Sequence, residues 1–310
     1  MQKIVTLTLN PAIDKSTSVK AIVPDKKLRC TPPKFEPGGG GINVSRALKK
    51  LGGTSAAMYL AGGYSGQFFK ELLDKEGINS VVVQIESHTR ENLIVVDDAN
   101  AQYRFGMPGP TIKDGEWQMC LQQLEKEEGI EYLVASGSLP DGVPPDFFAK
   151  LAALAKKKNV KLILDTSGEP LRQAVDDGVF MIKPNIGELS SLHGTDELSE
   201  EEAIVAAKDV INKGGCEVMV ISLGAAGALL VTKAEVFKSS APTVKKRSTV
   251  GAGDSMVAGM VYALTKGYSW KQVLQYGIAT GTATTMNPGT ELCKKEDVEK
   301  LFALMQTQPV

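Results

Sequence analysis

The feature that most restricts the fold is a rhythm. Seven apolar, strand-like runs recur along the chain: IVTLTL (4–9), AAMYLA (56–61), VVVQI (81–85), YLVAS (132–136), KLILD (161–165), FMIKP (180–184) and VMVIS (218–222). Helical patterns lie between several of them, at 43–51, 66–77, 146–158 and 201–213. Alternation of this kind predicts an α/β fold, a mostly parallel sheet with helices on both faces. Two stretches break the rhythm. Residues 14–36 and 88–107 are extended and polar-apolar, with a turn signal at Asp97–Asn100. They read as short antiparallel strands inserted into the core, a small sheet able to cover a site. After GALLVT and two short strands come three successive helical segments, Gly253–Lys266, Ser269–Met286 and Lys294–Met305. A chain of 310 residues accommodates one large α/β domain or two ordinary ones.

Charge and composition exclude several classes. Thirty-five basic against thirty-six acidic residues leave a net charge of -1, so neither nucleic acid nor a membrane surface is an expected partner. No apolar run is long enough to span a bilayer. The opening MQKIVTLTLNPAID reads as a strand and lacks the apolar core and cleavage site of a signal peptide. Cys30, Cys120, Cys216 and Cys293 are far apart, and His88 and His193 stand alone, so neither zinc nor a disulfide framework is expected. A reduced cytoplasmic protein is the natural reading.

Two glycine clusters carry most of the chemical information. FEPGGGGINVSRALKKLGG places Gly38, Gly39, Gly40 and Gly41 in a row, with Asn43 opening an amphipathic run. Four glycines together cost backbone entropy, so the backbone there is expected to lie very close to something. The second cluster, STVGAGDSMVAGMVYAL, feeds Gly251, Ala252, Gly253 and Asp254 into a helix. A glycine turn before a helix offers free N–H groups and the positive end of the dipole, which suits a phosphate. It is no P-loop, since no GK[ST] follows. It is no dinucleotide fingerprint either, since Met256 replaces the third glycine, and this removes a nicotinamide-dependent oxidoreductase. Asp254 is either a good first-turn residue or a base taking the proton of a hydroxyl that attacks the phosphate.

Other stretches add candidates. In KPNIGEL, Asn185 and Glu188 share a helical face. They could hold magnesium, directly or through water, or be an N-cap and its capping-box partner. In ISLGAAGALL, Gly224 and Gly227 make a turn that a hairpin explains. Asp14 follows the first strand and could accept hydrogen bonds from sugar hydroxyls. Lys27, Arg29 and Arg90 lie in the irregular inserts, where arginines could fork onto a phosphate; Asn92 and Ser138 are further candidates.

Taken in order, GGGGINVSRAL, GSLP, KPNIGEL and TVGAGDS resemble the PfkB (ribokinase-like) carbohydrate kinases, over essentially the whole chain. The resemblance implies a three-layer α/β sandwich in one domain, residues 1–310, with a β lid inserted at about 14–36 and 88–107. It implies ATP-dependent phosphorylation of a sugar hydroxyl. Asp254 would be the base, and the backbone at Gly251, Ala252 and Gly253 the anion hole. Asn185 and Glu188 would serve magnesium and the ATP phosphates. Lys183, Ser222, Gly224, Gly227 and Thr249 would line the nucleotide site, with Gly281 and Thr282 near the adenine. Ser248, Val250, Thr284, Asn287 and Gly289 match positions that bind potassium in relatives. TLTLNPAID, KLRC, TREN and MPGP are similar to the branch acting on fructose 6-phosphate, fructose 1-phosphate or tagatose 6-phosphate. Gly40 stands where kinases for the latter two often read Lys, which points to fructose 6-phosphate and its C1 hydroxyl. The phosphate's countercharge is then expected from Lys27, Arg29 and Arg90, with Gly38 to Gly41 and Asn43 against the sugar. A homodimer clasped through the lids is implied. A non-catalytic sensor on the same fold is disfavoured, because a sensor has no need of Asp254.

Overall fold

The structure, a computed structural model, describes residues 4–307. Its elements begin β1 (Ile4–Thr8), β2 (Ala12–Val19), β3 (Lys34–Gly38), α1 (Gly40–Leu51), β4 (Ala56–Gly62), α2 (Gly63–Lys75) and β5 (Asn79–Ile85). Then come β6 (Arg90–Asp97), β7 (Gln102–Phe105), α3 (Asp114–Lys126), β8 (Tyr132–Ser136), α4 (Phe147–Lys157), β9 (Lys161–Asp165), α5 (Gly168–Asp177) and β10 (Val179–Ile182). The last third holds α6 (Ile186–His193), α7 (Glu200–Asn212), β11 (Cys216–Ser222), β12 (Ala228–Thr232), β13 (Val236–Ser239), α8 (Ala252–Thr265), α9 (Trp270–Thr285) and α10 (Lys295–Thr307).

Nine strands form one sheet in the order β13-β12-β11-β10-β9-β8-β1-β4-β5. All neighbours from β11 to β5 are parallel; β12 and β13 close the other edge antiparallel. Period-two alternation sends successive side chains to opposite faces. Leu133 and Ala135 of β8 join a core with α3 to α7, while Tyr132 and Val134 join one with α1, α8, α9 and α10. Each fully buried Leu or Phe in these layers stabilises by about 1.5–3 kcal/mol. A third cluster, from Ala57, Tyr59, Phe69 and Leu73, seats α2 on β4.

The small sheet has the order β3-β2-β6-β7. Its outer pairs are antiparallel, but β2 and β6 run parallel, contrary to the all-antiparallel expectation. The cause is topological: β2 leaves β1 and β6 leaves β5, and those parent strands point the same way. The register sets Asp14 opposite Asn92, and Ala12 opposite Arg90 and Gly38. The connection from Lys20 to Pro33 is almost wholly exposed, tied near its ends by a Val19–Cys30 bridge.

Two helices were not legible in the hydrophobic pattern. The buried stripe of α3 is narrow, chiefly Trp117, Cys120 and Leu124, and α5 buries only Leu171 and Ala174. The helix expected from residue 43 begins at Gly40, so two of the four glycines lie in its first turn.

Candidate active site

Ligands of open parallel sheets gather at the carboxyl ends of the strands. Here those ends supply Asn10 beyond β1, Ser136 of β8, Asp165 of β9, Lys183 beyond β10 and Ser222 of β11. Facing them is the start of α8. Gly251 caps that helix with φ 72°, a left-handed conformation that a side chain would strain, and no side chain caps it. Its first-turn N–H groups therefore lack intrahelical acceptors. Ala252 donates to the Thr249 carbonyl at 3.3 Å, which leaves Gly253 and Asp254 as the better anion donors.

Asp254 sits in the middle of this edge. Asn43 Nδ2 donates to its Oδ2 at 2.9 Å, and Ser136 Oγ to its Oδ1 at 3.4 Å. Burial, reinforced by the charge of Asp165, pushes the carboxyl up to about 6 against the pull of Asn43 and Lys183. Lys183 is 7% exposed and pairs with Asp165 at 3.0 Å. Burial alone would lower the ammonium, but Asp165, then Asp254 and Glu188, outweigh it and hold it above its ordinary range. Its Nζ lies 3.7 Å from where a Cβ on Gly253 would stand, so the charge hangs over the helix start.

Asn185 and Glu188 form the capping box in full: Asn185 Oδ1 accepts from Glu188 N–H, and Glu188 Oε2 from Asn185 N–H, both at 2.8 Å. Glu188 Oε1 takes no part in that box. Among the described residues no group of three or more His, Cys, Asp or Glu could cage a metal. The donors fit magnesium only as it is usually held, by one carboxylate, waters and substrate phosphates. A backbone bridge between Asn185 and Ser222 brings this turn beside the end of β11. There a cavity of about 420 Å³ is lined by Ser222, Gly224, Gly227, Thr249, Gly281 and Thr282, all anticipated, and by Lys246, which was not. Gly224 and Gly227 do turn a hairpin, β11 to β12, and its mouth is this pocket.

The potassium candidates form a loop beside α8. Ser248 Oγ donates to the Gly289 carbonyl at 2.6 Å and accepts from Val250 N–H at 3.2 Å. The Asn287 NH2 group donates to the Ala283 and Leu292 carbonyls, and the Thr284 hydroxyl to the Thr280 carbonyl of its own helix. These bonds use hydrogens and leave the side-chain oxygens able to accept. The hydroxyl, amide and carbonyl oxygens of these residues are all uncharged, a donor set that suits a singly charged cation.

On the other flank, Asn92 Nδ2 donates to Asp14 Oδ1 at 2.9 Å. Arg90 donates to the carbonyls of Asn10 at 3.0 Å and Met107 at 3.1 Å, and Asn10 Nδ2 to Ser138 Oγ at 3.2 Å. Burial raises the Asp14 carboxyl against the pull of Asn92, Arg46 and Arg90. Thr8 Oγ1, Asn10 Oδ1 and Arg90 Nε are buried with no hydrogen-bond partner in the protein. The glycines fit closely here. A Cβ on Gly38 would stand 2.9 Å from Asp14 Cγ, one on Gly40 2.7 Å from the Ser136 carbonyl carbon, one on Gly41 2.6 Å from the Leu7 carbonyl oxygen. Gly39 holds φ 118°. What Gly40 approaches first is thus β8.

Lys27 and Arg29 both lie on the exposed 20–33 connection, and among the described residues neither is hydrogen-bonded to the Asp14 cluster. Hydrophilic loops carry no period, so the sequence could not place them. Asn10, Ser136, Asp165 and Arg46 were missed. The first three share one usable signal, a polar residue ending or just following an apolar strand run.

Comparison with known proteins agrees with this geometry. The family model described as pfkB family carbohydrate kinase matches residues 4–297. The ATP-dependent 6-phosphofructokinase isozyme 2 of Escherichia coli K12 is 41% identical over 307 residues, 98% of this chain and 99% of that one. The crystal structure of phosphofructokinase-2 from Escherichia coli in complex with potassium superposes with TM-score 0.94 at 41% identity, covering 99% of this chain and 100% of that one. The same enzyme in complex with fructose-6-phosphate gives 0.92 at 40%, with coverage of 99% and 100%. Likeness of this extent, in sequence and in backbone alike, means that the chain belongs to the pfkB family of carbohydrate kinases.

Proposed function

We propose that this chain transfers the γ-phosphoryl group of ATP to the C1 hydroxyl of fructose 6-phosphate, giving fructose 1,6-bisphosphate and ADP, the first of these a glycolytic intermediate. The observation that carries the reading is Asp254: a carboxylate raised to about 6 at the open start of α8, between the Asp14 cluster and the nucleotide cavity. A general base works best with a pKa near the operating pH. The unpartnered Asn10 Oδ1 and Arg90 Nε are polar groups that a hydroxylated, anionic ligand would satisfy. The 41% identity to an enzyme named 6-phosphofructokinase supports this choice among hexose phosphates.

In the reaction, Asp14 and Asn92 hold sugar hydroxyls and Arg90 balances the acceptor's phosphate. Asp254 takes the C1 proton as the oxygen forms its bond to phosphorus and the bond to the ADP oxygen breaks. N–H groups of Gly253 and Asp254, with Lys183, stabilise the charge on the transferring group, the main demand of phosphoryl transfer. Magnesium, reached by Glu188 through water, would neutralise ATP phosphates; potassium would rest against the carbonyls near Ser248 and Gly289. Comparing kcat/KM on fructose 6-phosphate, fructose 1-phosphate and tagatose 6-phosphate tests the acceptor. A preference for either of the last two would make the chain a 1-phosphofructokinase or tagatose-6-phosphate kinase, and absence of turnover on all three a sensor.

We read the whole chain as one kinase domain with the small sheet as its lid, working in the cytoplasm as a homodimer. Its four cysteines are free thiols, and among the described residues no helix is long and apolar enough to cross a membrane. The lid exposes Ile22, Val23, Leu28, Tyr103, Phe105 and Met107, apolar surface that a second lid would cover. Light scattering should give twice the chain mass; a monomer at working concentration would end that reading.

A further inference from the structure

We propose that Arg46 is a positioning residue for the transfer: it fixes the amide of Asn43 so that the NH2 group, not the oxygen, faces Asp254. The inference rests on Asp254 being the base. Arg46 stands one turn beyond Asn43 on α1, three residues on and therefore on the same face. Its guanidinium is buried, 4% exposed. Nη1 donates to the Pro37 carbonyl at 2.9 Å and reaches Asn43 Oδ1 at 3.4 Å. Nε and Nη2 fork onto Glu76 at 2.8 and 2.7 Å, and Nη2 lies 3.6 Å from Glu36.

The side-chain amide of Asn43 has two orientations. In the one described, its oxygen accepts from Arg46 and its NH2 donates to Asp254 Oδ2 at 2.9 Å. Flipped, it would set two donors against each other at Arg46 and two acceptors against each other at Asp254. A guanidinium permanently charged at one end and a carboxylate at the other leave one stable choice. The Arg46–Asn43 contact is long, so what it supplies is orientation. Lys could keep the charge near Glu76, but it lacks the planar fork that reaches Glu76, Pro37 and Asn43 together. Pro37 directly precedes Gly38, which packs on Asp14, so the same guanidinium ties the acceptor strand to the base. Glu36 is further hydrogen-bonded by Thr290, which fastens β3 to the loop beyond α9.

A purely structural role competes with this one: Arg46 could merely pin α1 and β3 to Glu76 at the end of α2. The two roles differ in what they do to Asp254. The groups facing its carboxylate are Asp165 from β9, Lys183 beyond β10, Ser136 from β8 and Asn43 from α1. Only the Asn43 bond depends on Arg46, and that bond favours the ionised form.

The experiment is the pH dependence of kcat, with thermal stability measured alongside. The proteins are the wild type, Arg46→Lys, Glu76→Gln, Asn43→Ala and the Arg46→Lys/Asn43→Ala double variant. Arg46→Lys should lower kcat about tenfold or more, move the acid limb to higher pH and leave the KM for ATP in place. Glu76→Gln should lower Tm and keep the acid limb. In the Asn43→Ala background, Arg46→Lys should change kcat by less than about twofold, since its route is already cut. Asn43→Ala alone should move the limb upward, which keeps the test decisive if Arg46→Lys does not fold. Multiplicative effects, or a limb that neither Arg46→Lys nor Asn43→Ala moves, would overturn the role of Arg46 alone. A wild type with no acid limb would remove the base, and this proposal with it.

Discussion

Ser136, Asp165, Lys183 and Ser222 end or follow strands of the nine-stranded sheet, most of whose strand bodies are buried on both faces. Asp14, Asn92 and Arg90 sit instead on a four-stranded sheet whose edge strand β7 is exposed along its whole length. In the proposed reaction the two regions would work under different mechanical conditions. Ser136 and Lys183 are buried and Asp165 and Ser222 half-buried at the ends of packed strands, the kind of fixed support that stabilising charge on a transferring phosphoryl group requires. The second set is fixed mainly by strand register and a few hydrogen bonds, which suits the proposed role of a surface that admits a sugar and closes over it. Perturbing the large sheet should therefore change kcat, and perturbing the small one KM for the sugar.

The largest expected effect belongs to the first region. Asp254→Asn should lower kcat by about a thousandfold or more while ATP binding by calorimetry survives. Stability should move the other way. A carboxyl raised in the fold favours the folded state below its unfolded value, and that advantage is lost as pH rises through about 6. The ionised group is thus a burden at pH 7.5, and Tm of Asp254→Asn should equal or exceed wild type there, with the margin gone by pH 4. A collapse of Tm at pH 7.5 would break the account of the site's electrostatics.

Next in size is Asn92→Leu, which removes the donor to Asp14. It should raise KM for the sugar phosphate roughly tenfold to a hundredfold, with kcat and the KM for ATP changed about threefold at most. A loss confined to kcat would mean that the small sheet works like the large one. Smallest is Gly40→Ala. Its Cβ would press on the Ser136 carbonyl carbon, so a stability loss of about 1–3 kcal/mol is expected, read from denaturant unfolding. The ratio of kcat/KM between fructose 6-phosphate and fructose 1-phosphate should stay put. A changed ratio would make Gly40 a specificity residue after all.

The same division governs what could be read from the chain. All seven expected strands exist, because runs such as YLVAS and KLILD must be buried to be stable. Helices α1, α2, α4, α7, α8, α9 and α10 were visible through their apolar faces and α6 only through its capping pair, Asn185 and Glu188; α3 and α5 were not, because so few of their residues are buried. At the site, Asp254 and Asn43, read separately from the two glycine clusters, meet in one hydrogen bond, and six residues expected on the nucleotide side line a common cavity. Lys27 and Arg29 could not be placed, since nothing in an exposed connection fixes where a side chain points. The Asn185–Glu188 pair showed why a motif can carry two meanings: the capping box is complete, yet one carboxylate oxygen lies outside it.

The bond between Asn43 and Asp254 joins residues 211 positions apart. At roughly 5–20 residues per second of synthesis, the amide waits roughly 10–40 seconds on the ribosome before its carboxylate exists. Strand β1, third from the β5 edge of the sheet, likewise waits for β8 before its second neighbour arrives. If Asp254 is the base, a growing chain can assemble the Asp14 cluster early without being able to spend ATP. Transfer would then be withheld until α8 is made, so prematurely terminated chains should be inert rather than wasteful.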